Sequence, residues 1–595
     1  MEQVKASLIG RLRSLPFNWE IAIYALLILI ALVMHLWALD ARAISWDEFE
    51  NIWWGGGWSL YTGHGYHHTP VTHGPFQAYS TALAFFLFGD SDFTARLPHA
   101  IFGAALVALP FFLRRYLSRW GSLAVVILLT FSPTLLYFSR FAREDIYVLF
   151  WTLLLVICMW RYFEERKARY LYIGAAALGL SFCTKEVSYF TVVLFAIFLL
   201  IVAAGELITG IRRRFDLKGL SPPAEWLILM GTLSLPLFAA GIELIPGVEL
   251  PGGFHWAKAL TVVLLFAISA AIGLRWSPRR WLISALIFYG IFTLLYTTFF
   301  TNTAGFASGI WGSLDYWITQ AGRETQPLYY YLILMPTYEF LPLLFAFVGA
   351  IYYTVKGNLF SRFLIYWVVL SLIAYSLYGE KMPQISLYII LPAILLGGKF
   401  IAGLFQAFDW GGARAWAIRG LTVLALLLLF PFTVHVAWQA NYQKGDEPPQ
   451  MLVYAGISSD VLGIMARIEE LAEETGEGNE LAITVDTSGG ALSFYWPWAW
   501  YLRDYKNVEW ADLSTIEHPP AGSVLLLKAH NEPDARPYLG KYGEGQNFRQ
   551  LLWFPEEYRD FDLGWWWGYF LHRETLSPYL TSGTEGIAYF PPGAP

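Results

Sequence analysis

Long apolar runs separated by short polar loops set the rhythm of this chain. About 20 consecutive apolar residues cross a bilayer as a helix, and the first such run covers residues 20–40. Similar runs follow at 96–114, 121–138, 145–163, 170–184, 187–206, 225–243, 257–274, 281–300, 329–355, 361–378, 384–405 and 416–438. The pattern predicts a mainly α, polytopic membrane protein of about 13 transmembrane helices. Stretch 329–355 is long for one span, and Pro336 sets a tilt or a break there.

One run decides the side of every later loop. Pro75 to Gly89 is apolar but spans only about 15 residues. With 75–89 left out of the count, the loops assigned to the cytoplasm carry clusters of cations. These are Lys5, Arg11 and Arg13; Arg114, Arg115 and Arg119; Arg161, Arg166, Lys167 and Arg169; and Arg212, Arg213, Arg214 and Lys218. Arg275, Arg279 and Arg280, then Lys356 and Arg362, then Arg414 and Arg419 continue the series. The opposite loops hold scattered cations such as Arg42, Arg140 and Lys258. Positive charge favours the cytoplasmic side, so 75–89 is expected to lie on the outer face as an interfacial helix. The N-terminus then reads as an uncleaved signal anchor facing the cytoplasm of a plasma-membrane protein.

Beyond the last run the pattern changes. Gly445-Asp446-Glu447-Pro448-Pro449 is a linker, Met451–Ala455, Leu481–Asp486 and Ser523–Lys528 are strand-like, and Asp460–Glu474 has helical spacing. An odd span count places this part outside. The expected division is a membrane domain at 1–440, with its first outer loop at 41–95, and a small extracytoplasmic α/β domain at 441–595. The Trp565-Trp566-Trp567 run is read as a packed aromatic patch in preference to an interface or sugar contact.

Composition agrees. The 595 residues are 56% hydrophobic, 18% aromatic and 14% charged, against about 25% charged in soluble domains. A net charge of −6 without a basic aromatic strip excludes nucleic acid as a partner. The two cysteines, Cys158 and Cys183, lie in apolar runs and form no disulfide framework.

Candidate chemistry collects in the outer loops. Trp46-Asp47-Glu48-Phe49 and Glu50 follow the first span; Arg143-Glu144-Asp145 opens another; Lys185-Glu186, Arg323-Glu324 and Glu380-Lys381 follow. Carboxylates there can accept a proton from a nucleophile, and Arg or Lys can hold a phosphate. His64, His67 and His68 are taken as hydrogen-bonding loop residues ahead of a zinc site. Asp47 and Glu48 also suit Mg²⁺ or Mn²⁺ through oxygen ligands, so a divalent cation stays open.

Taken in order, these motifs resemble the GT-C membrane glycosyltransferases. The residues that carry the resemblance are Asp47-Glu48, His73-Gly74-Pro75-Phe76, the stretch Gly89 to Pro98 with Arg96, Ser132-Pro133, and Ala142-Arg143-Glu144-Asp145. They resemble the branch holding protein O-mannosyltransferases and the lipid A aminoarabinose transferase. The turn Glu380-Lys381-Met382-Pro383 is similar to that of the archaeal and bacterial flippase-associated glycosylation proteins, although Gln384 and Tyr388 stand where that group has Trp and His. The resemblance implies a sugar donor on a polyprenyl phosphate and a protein, lipid or glycan acceptor. It implies Asp47 as general base for an inverting transfer, Glu48 as its support and Asp145 as the second-loop acid. Donor and acceptor contacts would fall to Arg143, Lys185, Glu186, Lys381, Glu380, His73, Arg96 and Arg323. Two other readings compete. A lipid-linked sugar flippase or transporter would carry ionisable residues near the midplane, and a non-catalytic accessory protein would bind the same lipid.

Overall fold

The computed structural model describes residues 18–594 except 213–216, 218, 249, 251–254, 324, 407–411, 444, 446–449, 491–492, 516–520, 576–579 and 582–584. Lys5, Arg11, Arg13, Arg213, Arg214, Lys218, Glu324 and the linker residues Asp446 to Pro449 lie outside the described residues.

Apolar runs in a bilayer must satisfy their own backbone groups, and helices do so. Among the described residues, ten helices are long and apolar enough to cross a membrane, or up to 12 when two bent pairs count as one span each. The expected thirteenth, around 170–184, is the helix Ala168–Phe182, whose 15 residues fall short of that length. It still returns beside Asp145–Glu165, because Lys185, just past its end, meets Asp145 at the start of its neighbour at 2.8 Å. Two of the expected spans, 121–138 and the long 329–355, are broken. Arg119–Thr130 and Pro133–Ser139 meet at 60°, and Tyr330–Tyr338 and Phe340–Lys356 at 112°. The second break falls at Glu339, three residues beyond the Pro336 position that the sequence suggests, and leaves Pro336 inside a helix. Glu339 caps the other break, accepting from Ser132 Oγ at 2.5 Å and from the Thr134 amide at 3.0 Å.

Leu387–Gln406 is the central helix and is buried along nearly its whole length. Two adjacent glycines allow its neighbours in. A Cβ on Gly398 would stand 2.9 Å from the Val125 backbone, and one on Gly397 would stand 2.7 Å from the Pro342 carbonyl oxygen. Small residues at such crossings let membrane helices approach closely. At the rim, Trp256–Trp276 and Ala413–Trp438 turn most of their apolar side chains outward. Phe76–Phe88 forms the expected short helix of 13 residues, with Leu83, Phe86, Leu87 and Phe88 exposed at its end. Arg115, Arg166 and Arg280 gather at the far end of the bundle, opposite the Asp47 loop, pairing with Glu164 and Glu225.

The C-terminal part is an α/β unit. Its main sheet runs β3 (Val508–Ala511), β2 (Ile483–Asp486), β4 (Val524–Lys528), β8 (Glu585–Tyr589), β5 (Gln546–Arg549). β2 pairs in parallel with β3 and β4, while β8 runs antiparallel to β4 and β5. Helix Asp460–Thr475 buries Val461, Ile464, Met465, Ile468 and Leu471 at helical spacing. A second, antiparallel sheet joins β1 (Gly456–Ile457), β6 (Leu551–Trp553) and β7 (Leu580–Thr581). The strand expected at Met451–Ala455 is not one. Met451 and Leu452 instead enter the bundle's own apolar core, where the Met451 amide donates to the Tyr338 hydroxyl at 2.8 Å. Of the three tryptophans at 565–567, Trp565 stacks on Tyr569 and Trp566 donates to Thr337, whereas Trp567 is 54% exposed.

The glycine crossing yields a direct expectation. Gly398→Leu should overpack the bundle by about 1–3 kcal/mol and lower the thermal midpoint in detergent. Gly231→Ala, where a Cβ meets nothing within 4 Å, should leave the midpoint nearly unchanged.

Candidate active site

The first loop takes its shape from backbone caps. Arg140 caps the preceding membrane helix, donating to the carbonyls of Met34, His35, Trp37 and Ala38. Ser45 then starts a new turn with a capping box: its hydroxyl accepts from the Glu48 amide, and the Glu48 carboxylate accepts from the Ser45 amide. Such reciprocal caps satisfy two otherwise orphaned donors.

Arg96, rising from helix Asp92–Ala108, locks this turn. Its Nε and one terminal nitrogen donate to the two Glu48 oxygens at 2.6 and 2.7 Å. The remaining donors reach the carbonyls of Leu39, Arg42 and Ala43. All five guanidinium donors are therefore used. Glu48 also accepts from the Ala142 amide at 2.8 Å, tying the first loop to the second. Burial alone would push the Glu48 carboxyl up; the Arg96 charge overcomes this and holds it below the ordinary carboxylate range.

Asp47 points the other way, toward a cavity of about 400 Å³, within the usual size range for small-molecule sites. The Asp47 carboxylate is paired with Arg143. Arg143 approaches Asp145 at 3.5 Å, Lys185 donates to both Asp145 oxygens at 2.8 and 2.9 Å, and the Tyr388 hydroxyl donates to Asp145 at 2.7 Å. Burial would weaken the proton affinity of Arg143, but Asp47 and Asp145 overcome that and raise its pKa. His73, held at a left-handed φ of 61°, meets Glu186 at 2.7 Å. Arg323 and Glu380 face each other across the mouth at 3.8 Å.

The expected residues therefore separate into three groups. Asp47, Arg143, Lys185, His73, Arg323 and Glu380 line the cavity. Asp145 and Glu186 stand directly behind it, bonded to Lys185 and His73. Glu48 and Arg96 do not reach it; each is at most 1% exposed and serves as the loop's clamp. Lys381 is likewise buried: its ammonium reaches the Gly379 carbonyl at 3.4 Å, and its backbone bonds Thr325. Lys381, expected as a donor contact, does not line the cavity, whereas its neighbour Met382 does.

Nor do Asp47 and Glu48 form a shared cation site. Four donors occupy the Glu48 oxygens and Arg143 covers Asp47. Among the described residues no group of three His, Cys, Asp or Glu is placed to hold a metal ion. The loop histidines diverge, with His64 bonding Thr62 and His68 bonding Ser308, each at 2.8 Å. Burial lowers the His68 pKa to about 4.

Two carboxyls gain weight from the structure. Glu50, one turn beyond Asp47, lines the cavity, and burial followed by the Asp47 charge raises its pKa. Glu144 is fully buried, and neither of its carboxylate oxygens has a hydrogen-bond partner among the described residues. Burial raises its pKa against the pull of His73 and Lys185. The i, i+3 spacing of Asp47 and Glu50 is the signal that places both on one face. Sequence offered no such signal for Tyr454 and Trp553, which reach the cavity from the C-terminal unit.

Residues 72–210 match the family described as dolichyl-phosphate-mannose-protein mannosyltransferase. That stretch includes His73, Arg143, Asp145, Lys185 and Glu186, and stops short of Asp47. No curated protein matches the chain by sequence. The archaeal oligosaccharyltransferase AglB of Archaeoglobus fulgidus, solved with an inhibitory peptide and a dolichol-phosphate, aligns at TM-score 0.50 and 13% identity, covering 89% of this chain and 73% of that one. The apo form of the oligosaccharyltransferase from the same organism gives 0.51 at 13%, covering 88% and 68%. ArnT from Cupriavidus metallidurans, in the apo state, aligns at 0.48 and 14%, covering 89% and 96%. The fold is that of the archaeal oligosaccharyltransferase.

Removing one partner of a buried, hydrogen-bonded ion pair costs about 3–5 kcal/mol. Arg96→Met should therefore lower the thermal midpoint strongly, and Glu48→Gln should do so to a lesser degree. Because the Glu48 carboxyl sits below its unfolded value, its stabilisation is complete above about pH 4.3 and is lost as pH falls through the depressed folded value. Wild-type thermal unfolding followed across acidic pH should lose stability in that window, and Glu48→Gln should flatten the loss.

Proposed function

We propose that this protein transfers a sugar from a polyprenyl-phosphate donor to an acceptor hydroxyl on the extracytoplasmic face, with inversion and with Asp47 as general base. The observation that carries the reading is the division of labour between adjacent carboxylates. Glu48 is saturated inside the protein, while Asp47 is presented to the cavity by the turn that Glu48 holds.

In this reading the acceptor oxygen attacks the anomeric carbon as its proton passes to Asp47. The bond from the anomeric carbon to the phosphate oxygen breaks, and its electron pair leaves with the lipid phosphate. Arg143 and Lys185 face the cavity with their charges held by Asp47 and Asp145, and Arg323 stands at the mouth. Cations fixed in a partly enclosed site stabilise a departing phosphate without reorganising at the moment of reaction. Asp145 keeps Lys185 and Arg143 in place and touches no substrate in this scheme. The dolichol-phosphate in the archaeal oligosaccharyltransferase of the same fold supports a lipid-phosphate donor. The clustering of Arg115, Arg166 and Arg280 at the far end of the bundle supports placing that end in the cytoplasm and the cavity outside.

Asp47→Asn should fold and insert normally yet lose about 10²–10⁴-fold in transfer rate, the usual contribution of a general base. The check is turnover of a radiolabelled polyprenyl-phosphate sugar by purified protein. Wild-type rates in Asp47→Asn would remove Asp47 from this role. Lys185→Met should depress transfer as well; a rate within twofold of wild type would remove Lys185 from the phosphate site.

A further inference from the structure

Aromatic rings in successive contact lead from the cavity to an edge strand of the C-terminal sheet. Trp46 lines the cavity beside Asp47. Its ring stacks on Trp496 with centroids 4.8 Å apart and planes at 22°. From Trp496 the path forks. Trp54 of the first loop lies 6.1 Å away, and Tyr495 lies 6.0 Å away and leads to Trp510 at a further 5.0 Å. Trp510 sits on β3, which among the described residues is an edge strand paired with β2. At the cavity end, Tyr454 and Trp553 meet edge to face at 4.9 Å and add two more rings to the lining.

The rings of this neighbourhood divide by burial. Phe49, Trp500 and Phe85 are inside and join the first loop to the C-terminal unit. Trp46, Tyr495 and Trp496 keep part of their surface open, while Trp510 is 36% and Trp54 is 54% exposed. The Trp46–Trp496 stack also joins the two parts and covers one face of each ring, while Trp54 and Trp510 keep the most open surface. Two units contribute alternately along the path: Trp46 and Trp54 from the first loop, and Tyr495, Trp496 and Trp510 from the C-terminal unit.

We propose that this aromatic path is the acceptor subsite and that its occupant is a glycan chain, laid ring upon ring and delivering its terminal hydroxyl to Asp47. The proposal rests on the transferase reading given above and names its acceptor class. Tyr and Trp offer rigid, flat apolar faces with polar edges at low entropy cost. The apolar faces of pyranose rings suit such a surface, and their hydroxyls remain solvated at its sides. A lipid acceptor would need a path continuous with the bilayer-facing rim; this one climbs from the cavity onto a sheet edge. A peptide acceptor would pair with the backbone of edge strand β3, whereas Trp46, Trp54 and Trp496 stand on helical or irregular backbone.

The test uses the full chain in detergent micelles without donor. Saturation-transfer NMR is read with linear hexasaccharides of glucose, N-acetylglucosamine and mannose, and with a Ser/Thr-rich hexapeptide. At least one hexasaccharide should bind, and its monosaccharide should bind at least tenfold more weakly. The double variant Trp54→Ala/Trp510→Ala alters only exposed side chains and should weaken that hexasaccharide at least tenfold with an unchanged thermal midpoint. No binding by any of the three hexasaccharides, equal binding by the double variant, or binding by the peptide alone would each overturn the proposal. Because the readout needs neither donor nor turnover, its failure is separate from failure of Asp47 as the base.

Discussion

Everything at the site depends on one buried ion pair, Glu48 with Arg96. Two charges removed from water are costly unless their hydrogen bonds are complete, and here they are complete. The guanidinium fixes three carbonyls before the turn, and the carboxylate fixes one amide in the turn and one in the second loop. A loop that would otherwise be irregular chain at a membrane surface thereby acquires a single geometry. Asp47 inherits its direction from this lattice, and Arg143 reaches it because Ala142 is already tied to Glu48. The chemistry of one carboxylate is thus set by the saturation of the other.

The bundle beneath serves the same end by different means. Its central helix is held by backbone approach at Gly397 and Gly398, where side chains would stand in the way. The breaks at Ser132-Pro133 and at Glu339 meet through a carboxylate cap, so a side chain at one discontinuity satisfies an exposed amide at the other. Irregular backbone within such a bundle is tolerated where protein covers it.

Much of this is legible in the chain, for definite reasons. Apolar runs report helices well because a bilayer leaves no other way to satisfy the backbone, and acidic pairs at span ends stand out against a poor charge background. Sequence could not separate Asp47 from Glu48, since adjacent carboxylates differ only in which cation folds against them, and Arg96 lies 48 residues away. Lys381 looked like an exposed cation because turns at span ends usually are exposed; Thr325 and the Gly379 carbonyl bury it. The apolar segment Met451–Leu452 carries the β signal of a short run, yet it packs into the helical core, where tertiary contact outweighs propensity. The wall formed by Tyr454 and Trp553 has no local signature, because it depends on how two units dock.

That shared wall fixes an order of assembly. The first loop leaves the ribosome early, carrying Trp46 and Phe49 ahead of the Trp496 ring that packs against both. That ring and the cavity walls Tyr454 and Trp553 are made late. Chains grow from the N-terminus and their parts fold as they appear, so the bundle can be seated while Asp47 still lacks a roof. The enclosed cavity exists only once the final quarter of the polypeptide has been synthesised and has closed over the first loop, and a chain truncated before that point would carry Asp47 on an open surface.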